Sequence, residues 1–170
     1  MSAGPAARPV PDFGAAAEAE RKLCIICSKG SLDMAYPGLI LANAALGEGV
    51  ATDLFFTFWG FEIIQRSTMH RLAFTPSANP ATHVPAVIAG LPGMQAMATR
   101  AMRRKIAELE VPPVPEMLET IKDAGGRLWA CRMSMEMNGL ELTDLYEGVD
   151  GVLNATEFID ISAGAQTLFI

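Results

Sequence analysis

Lys22-Leu23-Cys24-Ile25-Ile26-Cys27-Ser28 is a short, continuous apolar run, closed by Gly30 and Ser31. It lacks polar alternation, so it suits a parallel strand buried on both faces rather than a strand with one wet side. The pattern repeats downstream. Residues 39–46 are helix-forming and apolar on most sides, and Gly47 and Gly49 end them. Pro37 fits the first turn of that helix, where a missing N–H does no harm. Residues 50–58 bring Thr52, Phe55, Phe56, Thr57 and Phe58 together and read as a second strand. After a Pro-rich stretch, residues 94–109 place Met94, Met97, Ala98, Ala101, Met102, Ile106 and Leu109 on one helical stripe. Arg100, Arg103, Arg104 and Lys105 cluster beside it.

Residues 116–124 form a helix with Pro115 at its start and Gly125-Gly126 at its end. Residues 127–130 read as a third strand leading directly into Cys131, and 132–138 as a short helix stopped by Gly139. Residues 151–153 make a fourth strand. Asn154 with Glu157 has the spacing of a capping box for a helix through Ser162, and 167–170 is a last strand. Strand and helix alternate almost throughout. That predicts an α/β fold with a mostly parallel sheet of about five strands covered on both faces. Residues 1–20, with Pro5, Pro9 and Pro11 among alanines, read as a flexible tail ahead of a domain over 21–170.

Composition narrows the function. Hydrophobic residues make up 51% of the 170-residue chain and charged residues 19%, so a disordered chain is excluded. A net charge of −6 opposes phosphate, which argues against nucleic acid as a partner. Three cysteines cannot staple a disulfide scaffold, and an odd count fits a reducing compartment, hence the cytoplasm. No apolar signal segment opens the chain. The stretch 72–99 has no Asp, Glu, Lys or Arg, yet Pro76, Pro80, Pro85 and Pro92 interrupt it. Lipid cannot satisfy the carbonyls those prolines free, so it reads as an irregular apolar connection. A mean hydropathy of +0.27 on so short a chain predicts an apolar subunit interface, with residues 72–109 packing between copies or over the site. A membrane-surface contact through the basic cluster is the alternative for the same stripe.

Ligands of open parallel sheets bind outside the carboxyl ends of the strands. The strand-exit loops are 28–33, 59–62, Cys131 with Arg132, and 154–156. Cys131 sits where a strand ends and a helix begins, a position that favours a thiolate, and Arg132 adds positive charge. A small buried apolar cysteine is the competing reading. Cys24 and Cys27 form a C-x-x-C pair, but inside a strand pattern their side chains point to opposite faces and no mutual disulfide is expected. Lys29 and Gly30 lie in a loop that could present N–H groups to an anion, and Asp33 follows it as a cap or orienting group. An ordinary turn is the favoured reading of that loop. His70 and His83 are isolated and read as surface or structural, and no metal-ligand spacing is present.

Four segments are distinctive together: Lys22 to Pro37, Gly90 to Thr99, Leu128 to Met137, and Gly148 to Gly151. The chain from Lys22 to Ile170 resembles the DsrE/DsrF-like family, in the subgroup often labelled peroxiredoxin-like. The resemblance implies a three-layer α/β/α sandwich and homo-oligomers. It also implies sulfane sulfur held as a cysteine persulfide, in a sulfurtransferase-like exchange with TusA-like carriers or rhodaneses that uses no cofactor. The family's sulfur-carrying cysteine matches Cys131, and Lys29, Gly30, Asp33 and Arg132 are the candidates for contacts to the incoming group. The peroxiredoxin label does not fit: Leu128 and Ala124 stand where the peroxidatic P-x-x-x-T-x-x-C pattern needs Thr and Pro. A non-catalytic oligomeric scaffold using the Met-rich 94–109 helix is the alternative function.

Overall fold

The computed structural model describes residues 21–74 and 91–170. The expected tail at 1–20, His83 and most of the Pro-rich connection lie outside the described residues. In chain order the elements are β1 (Lys22–Cys27), α1 (Leu32–Gly47), β2 (Ala51–Phe56), α2 (Phe61–Ile64), α3 (Met94–Glu108), α4 (Val114–Asp123), β3 (Arg127–Cys131), α5 (Arg132–Met137), β4 (Gly151–Leu153), α6 (Ala155–Ile161) and β5 (Gln166–Phe169). Short 3-10 turns occupy Phe58–Gly60 and Leu142–Asp144.

The described strands form one sheet in the order β4-β3-β2-β1-β5, and every pairing is parallel. Register sorts the two faces. Ile25 lies beside Leu54 and Leu54 beside Leu128, all fully buried. α1 packs on this face of β1 and β2, and α4 packs on β3. Gly38 of α1 lies against the Cys27 sulfur, where a Cβ would stand 3.0 Å away. On the other face Cys24, Asp53 and Arg127 are register partners. There α6 contributes Phe158, stacked on Phe55 at 4.4 Å between ring centroids. The result is a three-layer α/β/α sandwich.

Asp53 is fully buried in the middle of β2. Arg127 meets it at 2.9 Å through Nε and again through Nη2, Trp129 donates Nε1–H at 2.7 Å, and Lys22 lies 3.5 Å away. Lys22 also donates to the Ile161 carbonyl, tying α6 to the sheet. A buried carboxylate survives only when so paired.

Two expectations need correcting. α1 begins at Leu32, and Pro37 lies inside it rather than in its first turn. Leu32, Ala35, Leu39 and Ala42 are buried at helical spacing, and their burial offsets the hydrogen bond that Pro37 cannot make. The second strand ends at Phe56, not Phe58. Phe58 has φ = 47°, a left-handed backbone that a strand cannot accommodate. The methionine stripe is confirmed as a helix, but α3 buries no residue fully. Ala98, Met102 and Ile106 pack on the core while Met97 and Leu109 stay exposed. Thr99 and Arg103 hold the helix to the segment before it, through Phe74 and through the His70 and Leu72 carbonyls. The Asn154–Glu157 capping box is present, with Asn154 accepting from Glu157 N–H at 2.9 Å. No helix among the described residues is long and apolar enough to cross a membrane.

Candidate functional site

Cys131 is both the last residue of β3 and the N-cap of α5. Strand geometry brings it to the carboxyl edge of the sheet, and the first turn of α5 folds back over it. Ser134, three residues on, is fully buried. β2 ends beside β3, which places Thr57 and Phe58 opposite that turn. The Thr57 and Ser134 hydroxyl oxygens are 3.2 Å apart, and Phe58 N–H donates to Ser134 Oγ at 2.8 Å.

Burial alone pushes the Cys131 thiol up. The Ser134 and Thr57 hydroxyls and the backbone N–H groups of Ser134 and Met133 hydrogen-bond its sulfur and outweigh burial, so the thiol lies below its ordinary value of 9.0. Donors that favour the charged form make a better nucleophile at neutral pH. The other two cysteines behave in the opposite way. Burial pushes Cys27 up to about 12. Burial, and then the Asp53 carboxylate, raise Cys24. Both are free thiols inside β1, on opposite faces of the sheet.

The geometry of the site depends on two close approaches. Thr57 N–H donates to the Cys27 carbonyl at 3.0 Å. At Gly60 a Cβ would lie 2.0 Å from that same carbonyl oxygen, so only glycine lets the β2 exit loop lie against β1. At Gly30 a Cβ would lie 2.2 Å from the Trp59 carbonyl oxygen, so the two exit loops abut there as well.

The remaining sequence candidates are dispersed. Gly30 is buried and serves loop packing, and Lys29 beside it is exposed. Asp33 lies in the first turn of α1 and lines an apolar groove shared with Ile40, Met102, Lys105 and Leu109 of the α1 and α3 side. Arg132 is exposed at the start of α5, and the groups that lower the Cys131 thiol are hydroxyls and amides. Sequence reasoning missed Thr57, Phe58 and Ser134. The signal for Ser134 was its spacing, three residues after an N-cap, where a hydroxyl faces the cap. Among the described residues no three His, Cys, Asp or Glu side chains gather as a metal site.

The β2 exit loop and α5 carry exposed apolar side chains. Phe58 is 46% exposed, Trp59 62%, Met133 56% and Met137 54%.

Comparison with known proteins agrees with this architecture. A Sulfur carrier protein DsrE2 from Allochromatium vinosum is 33% identical over 139 residues, which cover 77% of this chain and 86% of that one. A Bacillus subtilis protein, YrkE, described as uncharacterized, is 25% identical over 163 residues, 90% of this chain and 99% of the other. Among solved structures, MTH1491 from Methanobacterium thermoautotrophicum has a TM-score of 0.55 at 10% identity, and ychN protein from E. coli a TM-score of 0.50 at 18%. Each covers 88% of this chain and 99% of its own, which shows a shared fold. The description DsrE/DsrF/DrsH-like family matches residues 19–169. A match over nearly all the described chain, added to the parallel five-stranded sheet, makes this protein a member of the DsrE/DsrF/DrsH-like family.

Proposed function

We propose that the protein carries sulfane sulfur as a persulfide on Cys131 and relays it between thiol-bearing carrier proteins of TusA-like or rhodanese type. The observation that carries this reading is the contrast among the three cysteines. Only Cys131 meets hydrogen-bond donors that favour its thiolate, while burial pushes Cys24 and Cys27 up. The sulfur-carrier relative from Allochromatium vinosum supports sulfur carriage in general.

In the loading step the Cys131 thiolate attacks the outer sulfur of a donor persulfide. A new S–S bond forms on Cys131, and the donor thiolate leaves with the electron pair of the bond that breaks. In delivery an acceptor thiolate attacks the outer sulfur of Cys131–S–SH and Cys131 is the leaving thiolate. The donors that activate the nucleophile therefore also stabilise the leaving group. Neither step needs a metal or an external oxidant. Free thiols are required throughout, which fits the reducing cytoplasm.

Exposed Met97 (60%) on α3 and Leu109 (75%) just past its end support assembly with further copies through this helix. Light scattering at low and high salt tests this, because an apolar interface persists as ionic strength rises whereas attraction of the basic cluster to anionic vesicles weakens.

The deciding experiment is mass spectrometry after incubation with a persulfidated carrier. The expected result is a gain of about 32 Da, one sulfur atom, on the Cys131 peptide. Cys131→Ser stays folded and gains nothing. Sulfur on Cys24 or Cys27 in that variant overturns the reading.

A further inference from the structure

The segment 70–74 runs beside α3 and is clamped to it twice. Thr99 Oγ1 accepts from Phe74 N–H at 2.9 Å, and Arg103 Nη2 donates to the His70 and Leu72 carbonyls, each at 3.1 Å. Leu32 N–H donates to the Ala73 carbonyl at 3.0 Å, which fixes the segment to the start of α1 as well. A cleft of about 420 Å³ lies between the two walls. Arg71 and Ala73 line it from the segment, and Ala96, Thr99, Arg100 and Arg103 from α3. The four α3 residues follow the i, i+3, i+4, i+7 spacing of a single helical face. Neither Cys131 nor any of the groups that lower its thiol lines the cleft.

Three arginines meet at this cleft, and no carboxylate lines it. Other arginines are paired: Arg66 with Glu147, Arg104 with Glu108 and Arg127 with Asp53. Among the described residues Arg71, Arg100 and Arg103 form no ion pair. The connection at 75–90, next in sequence after Phe74, contains no Asp or Glu that could supply one. Arg100 and Arg103 are one turn apart on the same face, where like charges destabilise a helix. A bound anion relieves that repulsion. Ala96 adds a second, independent preference, because it lies in the first turn of the 15-residue α3, whose N–H end favours negative charge. The chain carries a net charge of −6, so this positive field is local to the cleft.

We propose that the cleft between the 70–74 segment and α3 binds one phosphate group, held by Arg71, Arg100 and Arg103. Guanidinium forks match the oxygens of a tetrahedral anion, and each charge-assisted bond is about twice as strong as a neutral one. Arg103 is already pinned by its two carbonyl bonds, so part of the ordering needed for binding is done before the ligand arrives. The volume is that of a small-molecule site, with room for the phosphate and the group that bears it. It does not suit an extended polyanion, which the overall negative charge would also repel. The phosphate belongs to a small soluble molecule or to a lipid headgroup. The site is separate from sulfur chemistry at Cys131, and its occupation ties α3 more firmly to the 70–74 segment.

The test is calorimetric titration of the full chain with inorganic phosphate at constant ionic strength. Saturable binding at one site is expected, with a dissociation constant on the order of 1 mM or tighter. Arg71→Gln and Arg100→Gln each weaken it roughly tenfold. Both side chains are exposed, so the variants fold, and circular dichroism checks this. Arg104→Gln removes the same charge from the same helix but outside the cleft, and it changes the constant by less than about twofold. A second arm sediments the protein with phosphatidylglycerol vesicles. Binding that needs Arg71 and Arg100 and is displaced by free phosphate assigns the group to a lipid headgroup. Phosphate binding without vesicle binding assigns it to a soluble molecule. Absence of saturable binding in both arms overturns the proposal. So does an equal loss in Arg104→Gln, which marks a diffuse field instead of a site. Sulfur loading of Cys131 is the same in all three variants, so neither result touches the persulfide reading.

Discussion

Phe58 donates its backbone N–H to the buried Ser134 hydroxyl at 2.8 Å, joining the exit of β2 to the first turn of α5. That bond uses acceptor capacity on Ser134 Oγ and leaves its one proton to be given away. The Ser134 hydroxyl is one of the partners that lower the Cys131 thiol, and it stands 3.2 Å from Thr57 Oγ1, so a backbone amide of one loop helps to orient a hydroxyl that acts on the thiol.

Ser134→Ala removes that donor and strands the Phe58 N–H. The Cys131 thiol rises, and the thiolate absorbance titrates at higher pH than in the wild type. In the wild type, sulfur loading increases as pH rises through a midpoint below 9.0, because the folded state favours the thiolate. In the variant that midpoint moves up. An unsatisfied buried amide also costs about 1–3 kcal/mol, read from urea unfolding. An unchanged titration would show that the hydroxyl does not act on the sulfur.

Gly60→Ala forces a methyl group to within 2.0 Å of the Cys27 carbonyl oxygen. The backbone must shift, and Thr57 and Phe58 shift with it. The expected loss is about 2–3 kcal/mol, with the Cys131 thiolate titration moved toward the ordinary value. Thermal unfolding and the ultraviolet titration of the same sample check the two effects together.

Cys27 makes the fold sensitive to alkali. Burial raises its thiol from 9.0 to about 12, so the unfolded chain ionises first. A raised group contributes its full stability below the unfolded value and loses it as pH climbs toward the folded one. Between these limits stability falls by about 1.4 kcal/mol per pH unit from this group. Cys27→Ala lowers stability at neutral pH through the lost packing, yet its stability declines less steeply over that range. Parallel slopes for the two proteins in denaturant titrations at several pH values would exclude Cys27 as the cause.

Asp53→Asn leaves Arg127 and Lys22 facing each other without a carboxylate between them. Because Arg127 is half-exposed and can turn to water, the cost falls at the low end for a broken buried pair, about 3 kcal/mol. Cys131 lies elsewhere on the sheet, so its thiolate titration stays where it is in the folded variant. Chemical denaturation and thiol titration separate the two.

Much of the fold is legible in the sequence, because apolar strand runs and glycine stops are local signals. β3, β4 and the Asn154–Glu157 cap are found nearly to the residue. The start of α1 is not, because Pro37 argues locally for a later start while the decisive burial of Leu32 and Ala35 is tertiary. Cys131 is legible as a residue at a strand exit. Its partners are only half so: Ser134 follows from helix-cap spacing, whereas Thr57 and Phe58 come from a strand whose neighbour in the sheet no local pattern names. The switch-point rule also points elsewhere. The strand order reverses at β1, between β2 and β5, and there Ile170 already bonds Ser28 and Ile26 and closes the gap.

The Thr57–Ser134 contact joins residues 77 apart in sequence. Closing so long a loop is entropically unfavourable until other contacts have brought its ends together, so this pair of hydroxyls comes together only after β2 and β3 have paired. A chain still emerging, or one trapped short of that pairing, carries at position 131 an ordinary thiol without its donors. Under the proposed persulfide role, competence to bind sulfur then arrives together with the finished fold, and a misfolded copy would not draw reactive sulfur from its partners.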